Sequence, residues 1–265
     1  MKRNGHIHTP FCPHGTKDSF EQYIEQAIQA GFEDITFTEH APLPTNFVDP
    51  TPLQDSGMQP KDVDTYIKTL QNLQVQYANN IKIRIGFEVD YIMGYEEETK
   101  QWLHTYGPVI DDAILSVHFL KINGEYVCID YSDSVFMDTV QKVGSVERLY
   151  HMYYDTVQQS IEADLGTFKP KRIGHPTLIH KFQHAHQETI DDHEQIEHVL
   201  QSIKHHNYEL DVNSAGYAKK FCLESYPPIR YIEHAKQLQI PLVFGSDAHQ
   251  AKDFDQFFEE LQPYL

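Results

Sequence analysis

Cysteine is scarce in this chain: Cys12, Cys128 and Cys222 are the only three in 265 residues, widely spaced and without a CxxC pair. An odd, scattered set supports neither a disulfide framework nor a zinc site built on thiolates. Basic residues are also few. The 21 Lys and Arg face 39 Asp and Glu, a formal net charge of -18, which argues against a surface made for nucleic acid or for anionic membranes. A phosphate-bearing ligand would need locally placed cations. No apolar run approaches the length of a membrane span and no hydrophobic leader precedes the first motif, so a cytoplasmic, reducing setting is the default expectation. The single tryptophan, Trp102, gives no basis for a stacking site. Low-complexity tracts are missing too. With 40% hydrophobic residues, residues 1–265 are expected to form one domain of barrel size around one large core.

What the chain has in quantity is histidine, and three imidazoles fall in Gly5-His6-Ile7-His8-Thr9-Pro10-Phe11-Cys12-Pro13-His14-Gly15. If Arg3 to Thr9 is a strand, the period of two sends His6 and His8 to one face and Ile7 to the other. That makes half a metal site. His14 follows in a loop bounded by Pro and Gly, free to fold back over the strand end. Alone, such a segment can be a His-rich terminus without a site, so its partners decide.

Those partners recur at one kind of position. Ser19 reads as the N-cap of a helix whose face carries Phe20, Tyr23, Ile24, Ala27 and Ile28 and which Gly31 terminates. The short strand Asp34 to Thr38 then delivers Glu39-His40. After a Pro-rich loop, Val63, Tyr66, Ile67, Leu70 and Leu73 mark an amphipathic helix, and strand Ile81 to Phe87 delivers Glu88. A polar helix, Glu96 to Tyr106, leads to strand Ala113 to Val117, which ends in His118. Asn123-Gly124 signals a hairpin between about Phe119 and Asp130. Helix Val146 to Ala163 precedes Arg172-Ile173-Gly174, which presents His175. Helix Ile190 to His205 precedes Tyr208 to Val212, which delivers Asn213. The last unit is helix Ile229 to Leu238, strand Pro241 to Gly245, then Ser246-Asp247-Ala248-His249. Strands alternating with helices about seven times predict parallel βαβ units closed into a (β/α) barrel.

His6, His8, His40, Glu88, His118, His175, Asp247 and His249 all fall at or just beyond the carboxyl ends of these strands, where barrels assemble active sites. With His14 they make seven imidazoles and two carboxylates, enough for two or three borderline divalent ions. Glu88 is the expected bridge, because two carboxylate oxygens can bind two cations. Glu39, one residue from His40, alternates to the other side of the strand and is expected to matter less.

The ordered set Gly5-His6-Ile7-His8, His14, Thr38-Glu39-His40, Gly86-Phe87-Glu88, Ser116-Val117-His118, Gly174-His175-Pro176 and Gly245-Ser246-Asp247-Ala248-His249 resembles the polymerase-and-histidinol-phosphatase (PHP) superfamily from end to end. Phe11-Cys12-Pro13-His14-Gly15, Phe37-Thr38-Glu39-His40-Ala41-Pro42-Leu43-Pro44, and Ser116-Val117-His118-Phe119 with Ile129-Asp130-Tyr131 resemble its histidinol-phosphate phosphatase branch. The resemblance implies a distorted seven-stranded (β/α) barrel, TIM-like, holding up to three metal ions. It implies His6, His8, Glu88 and Asp247 at the first, Glu88, His118 and His175 at the second, and His14, His40 and His249 at the third. One departure stands out. Related sequences carry Arg shortly after an Asn-Ser/Thr-Ser-Gly turn, whereas here Asn213-Ser214-Ala215-Gly216-Tyr217 is followed by Ala218, Lys219 and Lys220.

The implied activity is hydrolysis of the phosphate monoester L-histidinol phosphate, with two to three Zn, Fe or Mn ions generating a metal-bridging hydroxide and offsetting phosphoryl charge. Glu88 and Asp247 are the candidate catalytic residues, Asp247 also as a proton carrier. Arg172, Asn213, Lys219, Lys220 and Arg230 are the candidate substrate contacts, Arg172 being equally suited to a structural ion pair. His184 and His186 read as a solvated segment, and His193, His198, His205 and His206 as an exposed helix face. Other readings are a nucleotide or oligonucleotide phosphoesterase, an amidohydrolase-type barrel, which often uses a modified Lys where Glu88 stands, and a metal-binding protein without catalysis. No nucleic-acid or membrane partner is expected, and the sequence leaves the oligomeric state open.

Overall fold

A parallel strand covered on both faces is buried along its whole length, and the second strand here is buried at all seven of its positions although only Ile35 and Phe37 are apolar. The structure, a computed structural model, describes residues 1–265. Its strands are β1 (Arg3–Ile7), β2 (Asp34–His40), β3 (Lys82–Asp90), β4 (Asp112–Ser116), β5 (Phe119–Ile122), β6 (Glu125–Cys128), β7 (Arg172–Ile173), β8 (Glu209–Asn213) and β9 (Leu242–Gly245). Seven of them form a parallel sheet in the order β1-β2-β3-β4-β7-β8-β9. β5 and β6 form the expected hairpin about Asn123-Gly124, both with positive φ, as a tight turn of that kind requires.

The sheet curls into a nearly closed barrel. Beyond β9 the chain meets β1 through His8 N to Ala248 O at 3.0 Å and Asp247 N to His6 O at 2.9 Å. Asn4 stitches the same seam, donating to Ser246 Oγ at 2.8 Å and to Phe254 O at 2.7 Å. Gly245 permits the close approach: a Cβ there would sit 2.4 Å from Asp211 Oδ1 and 2.7 Å from His6 Cβ.

Around the barrel lie α1 (Phe20–Gln29), α2 (Val63–Gln76), α3 (Glu96–Tyr106), α4 (Asp133–Val143), α5 (Val146–Glu162), α6 (His193–His205), α7 (Ile229–Gln237) and α8 (Phe258–Leu261). Ser19 caps α1 in a reciprocal box with Gln22. Helix α4 is not among the sequence expectations, although Ser132 caps its start and Gly144, at φ 102°, its end. Aromatic rings join helices to strands: Phe20 of α1 packs edge-to-face on Phe37 of β2 at 5.1 Å, and Tyr66 of α2 donates to Gly86 O of β3 at 2.9 Å. Burying one such ring contributes about 2–3 kcal/mol.

Two charged clusters brace the barrel. At the amino ends of the strands, Arg172 donates to Gly5 O at 2.8 Å and Asp112 Oδ2 at 2.9 Å, while Arg3 reaches the same Asp112 oxygen at 2.5 Å. Arg172 is 1% exposed and does not line the cavity at the other end of the barrel. The expectation that it contacts substrate is therefore corrected to the structural ion pair. The second cluster sits at the carboxyl ends. In the short 3-10 helix Leu178–Phe182, buried His180 lies 2.6 Å by Nε2 from Asp192 Oδ2 and 2.7 Å by Nδ1 from Glu224 Oε1. Tyr154 donates to the same Asp192 oxygen at 2.5 Å. A ring between two carboxylates serves both by donating from both nitrogens, so His180 is held as an imidazolium that ties together the segments after β7, before α6 and after β8.

Burial alone would lower the His180 pKa, but the hydrogen bonds and charges of Asp192 and Glu224 outweigh it and raise it to about 9 from 6.5. A folded-state value above the unfolded one means stabilisation that is complete below about pH 6.5 and lost as pH rises through about 9. Thermal unfolding of wild type and His180→Gln should therefore show a stability gap that narrows by on the order of 3 kcal/mol between about pH 6.5 and pH 10. A gap independent of pH would contradict the imidazolium.

Candidate metal centre

The strands deliver their polar residues to one end of the barrel. His6 lies in β1 and His8 just past it, His40 ends β2, and His118 and His175 each lie two residues past β4 and β7. Asp247 and His249 follow β9. Glu88 departs from expectation in one respect: β3 runs on to Asp90 because pairing continues through His40 and Glu88, so Glu88 is within the strand rather than beyond it. At His175 and Asp247 the backbone turns through positive φ, 23° and 51°, conformations that cost non-glycine residues energy and cluster where side chains must be aimed.

Glu88 is the hub. It is 1% exposed, and its two oxygens face different partners. Oε1 lies 2.8 Å from His175 Nε2 and 3.7 Å from His118 Nε2, and accepts from Ser116 Oγ at 2.6 Å. Oε2 lies 3.1 Å from His40 Nδ1, 3.4 Å from His6 Nε2 and 3.5 Å from His8 Nε2. Asp247 Oδ1 completes the second side, 3.1 Å from His8 Nε2 and 3.7 Å from His6 Nε2. At the mouth, His14 Nε2 and His249 Nε2 are 3.1 Å apart.

Most of these imidazoles are gripped from behind. Nδ1 of His6 meets Asp211 at 2.9 Å, that of His118 meets Asp90 at 2.7 Å and that of His8 meets Glu39 at 3.3 Å. His14 and His249 use the carbonyls of Asp55 and Asp247, at 2.8 and 3.0 Å. Such contacts fix the ring and aim Nε2 at the centre, as in metal-ligating histidines. The forward atoms lack partners: His6 Nε2, His8 Nε2 and both His40 nitrogens are buried without a hydrogen bond. Buried polar atoms are rarely left so, and a cation is the partner that imidazole and carboxylate donors share. The residues present fit divalent metal. Ligand atoms converge in the sets His6, His8 and Asp247, Glu88, His118 and His175, and His8, Cys12, His40 and His249.

Electrostatics point the same way. Burial favours a neutral Glu88, yet the charges of His6 and His118 and the hydrogen bond from His175 hold its pKa well below the carboxylate range. Burial likewise opposes charge on His8 and His118, but Asp247 and Glu39 raise the first to about 9, and Asp90 and Glu88 raise the second to about 10. His40 and His249 are pushed down, by burial and then by charged His8. A centre that gathers protons on some imidazoles is one that cations can take over with proton release.

Several expectations are revised. Glu39 is fully buried; besides holding His8, it accepts from Thr9 N at 2.8 Å and His40 N at 3.0 Å, so it orients ligands rather than decorating the strand. Cys12 joins one ligand set, but burial and then Glu39 push its thiol well up, keeping it protonated. A cavity of about 640 Å³ opens over the centre, lined in part by Asp90, Asp130, Lys181, Lys219 and Tyr226. Of the candidate substrate contacts, Lys219 lines it. Asn213 is buried and donates to Asp211 at 3.3 Å and to Asp247 at 3.2 Å, so it supports the site. Lys220 and Arg230 are exposed, lie over the rings of Phe221 and Tyr231, and do not line the cavity. His184 is exposed, whereas His186 is half-buried on Phe136. Asp90 and Asp211 could be reached from sequence by the period of two from Glu88 and Asn213; Lys181 and Asp130 carry no such signal.

Known proteins resemble this chain in sequence and fold. A histidinol-phosphatase of Bacillus subtilis strain 168 is 46% identical over 261 residues, 98% of this chain and 97% of its own length. The crystal structure of the hisK protein of Listeria monocytogenes matches with a TM-score of 0.92 at 40% identity, covering 98% of this chain and 99% of that one. A histidinol phosphate phosphatase of Lactococcus lactis subsp. lactis, crystallised with zinc, L-histidinol and phosphate, shares the fold with a TM-score of 0.73 at 17% identity, covering 99% of this chain and 93% of its own. The PHP domain model matches residues 4–215, and with the near full-length likeness to the Bacillus enzyme the chain belongs to the PHP family.

Proposed function

We propose that this protein hydrolyses L-histidinol phosphate to L-histidinol and phosphate at a centre of two to three divalent ions. The observation that carries the reading is the division of Glu88: one oxygen faces His118 and His175, the other His6, His8 and His40. In this reading Glu88 would join His6, His8 and Asp247 at one ion and His118 and His175 at a second, while His14, His40 and His249 would hold a third. Zn, Fe and Mn all suit such a donor set. Bound ions supply charge for the phosphoryl oxygens and lower the pKa of attacking water.

The chain's own residues do the rest. Asp90, Asp211 and Glu39 keep His118, His6 and His8 aimed at the centre. Asp247, at 18% side-chain exposure against 1% for Glu88, is the more exposed of the two carboxylates of the centre and lines the cavity, a position from which it can move a proton between water and leaving oxygen. Lys181 and Lys219 are the lysines of the cavity wall and meet the local need for cations in an acidic chain.

Elemental analysis of purified protein should find two to three divalent ions per chain, and one or none would count against the centre. In a panel of esters, L-histidinol phosphate should exceed p-nitrophenyl phosphate and nucleotides by at least ~10²-fold in kcat/KM, about 2.7 kcal/mol of transition-state stabilisation; preference for a nucleotide or a diester would reassign the substrate. Glu88→Gln should lose ions and turnover together, with kcat down on the order of 10³-fold, roughly 4 kcal/mol. Glu39→Gln, which loosens His8 without removing a ligand, should weaken metal affinity by about 10–100-fold while excess metal restores most turnover. Unchanged metal affinity there would return Glu39 to a bystander.

A further inference from the structure

The cavity wall holds an ion pair with no part in the centre itself. Lys181 Nζ lies 2.8 Å from Asp130 Oδ2, with 21% and 18% of the two side chains exposed, and both residues line the cavity. They come from different parts of the fold, Asp130 from the turn after β6 and Lys181 from the 3-10 helix after β7. That helix is anchored on its other face by the neighbouring His180, between Asp192 and Glu224. Neither member grips a metal-facing imidazole, since Asp90 does that for His118.

The pair also has hydrogen-bonding capacity to spare. An ammonium has three donors, and Lys181 directs one at Asp130. Asp130 Oδ1 receives only the weak thiol donor of Cys128, at 3.3 Å. About a fifth of each side chain is open to the cavity, so the remaining donors of Lys181 and the second oxygen of Asp130 are available there to a ligand. A ligand carrying one cationic and one anionic group at short separation would complete both.

We infer that Asp130 and Lys181 recognise the vicinal amino-phosphate of the substrate, Asp130 accepting from the ammonium and Lys181 donating to a phosphate oxygen. This rests on L-histidinol phosphate being the substrate. In that molecule the amine and the phosphate ester are on adjacent carbons, so its opposite charges lie close together, as those of the pair do. The arrangement is a charge pair read by a charge pair, and complementarity of this kind sets specificity. An ester without the amine leaves Asp130 incompletely satisfied.

The test compares L-histidinol phosphate with its desamino analogue, 3-(imidazol-4-yl)propyl phosphate, on metal-loaded enzyme. For wild type the ratio of kcat/KM should be on the order of 10² in favour of the amine. In Asp130→Asn the ratio should fall to within about threefold of unity, metal content should stay as in wild type, and calorimetry should show L-histidinol binding weakened at least ~10-fold. The double variant Asp130→Asn/Lys181→Met leaves no unpaired charge and should lose the same discrimination. A ratio kept in both variants, or equal loss on the two esters, would overturn the inference. Wild type that hydrolyses both esters equally would overturn it while leaving the phosphatase reading intact, whereas wild type inert on both would overturn the two together.

Discussion

A carboxylate without water around it must find its stabilisation in fixed neighbours, and Glu88 is that carboxylate. It sits near the carboxyl end of β3 at 1% exposure, with His6, His8 and His40 on one oxygen and His118 and His175 on the other. Removing its partners would leave an uncompensated buried charge. Removing Glu88 would leave five imidazoles from four strand ends, those of β1, β2, β4 and β7, without the carboxylate they share. The arrangement of the site therefore depends on one side chain.

The barrel serves that arrangement by holding its strands in register. Parallel pairing places His40 opposite Glu88, and the Asn4 seam brings Asp247 within reach of His6 and His8. Behind the ligands stands an acidic layer, Glu39, Asp90 and Asp211, that orients imidazoles. These three of the 39 acidic residues are thus employed inside the molecule rather than on its surface. At the opposite end, Arg172 and Arg3 neutralise Asp112, so the two ends of the barrel interior are filled by different charge chemistry.

Period-two alternation and the repeated unit of strand followed by helix made the fold legible, and with it the candidate ligands at strand ends; His14 was found only by its place in a short Pro- and Gly-bounded loop, and Cys12 was not among the expected ligands. The layer behind them was less legible. Glu39 alternates away from His40 along an ideal strand, yet the chain at the end of β1 bends close enough for Thr9 and His8 to reach it, a tertiary fact with no local signature. Arg172 shares a strand with a ligand, but two residues along β7 separate the centre from the opposite end of the barrel. Lys181, Asp130 and the His180 cluster meet only through loops packed over the barrel mouth, where no periodicity operates. Helix α4 was within reach of capping arguments, from Ser132 to Gly144.

The central claim is that the two oxygens of Glu88 serve two different ions. Anomalous diffraction from crystals of the metal-loaded protein, collected on both sides of the metal's absorption edge, addresses it directly. The account predicts anomalous peaks on both sides of the Glu88 carboxylate, one among His6, His8 and Asp247 and one between His118 and His175, each within bonding distance of a different oxygen. A single peak contacting one oxygen, with the other bound only to Ser116 or to protonated imidazole, would contradict it.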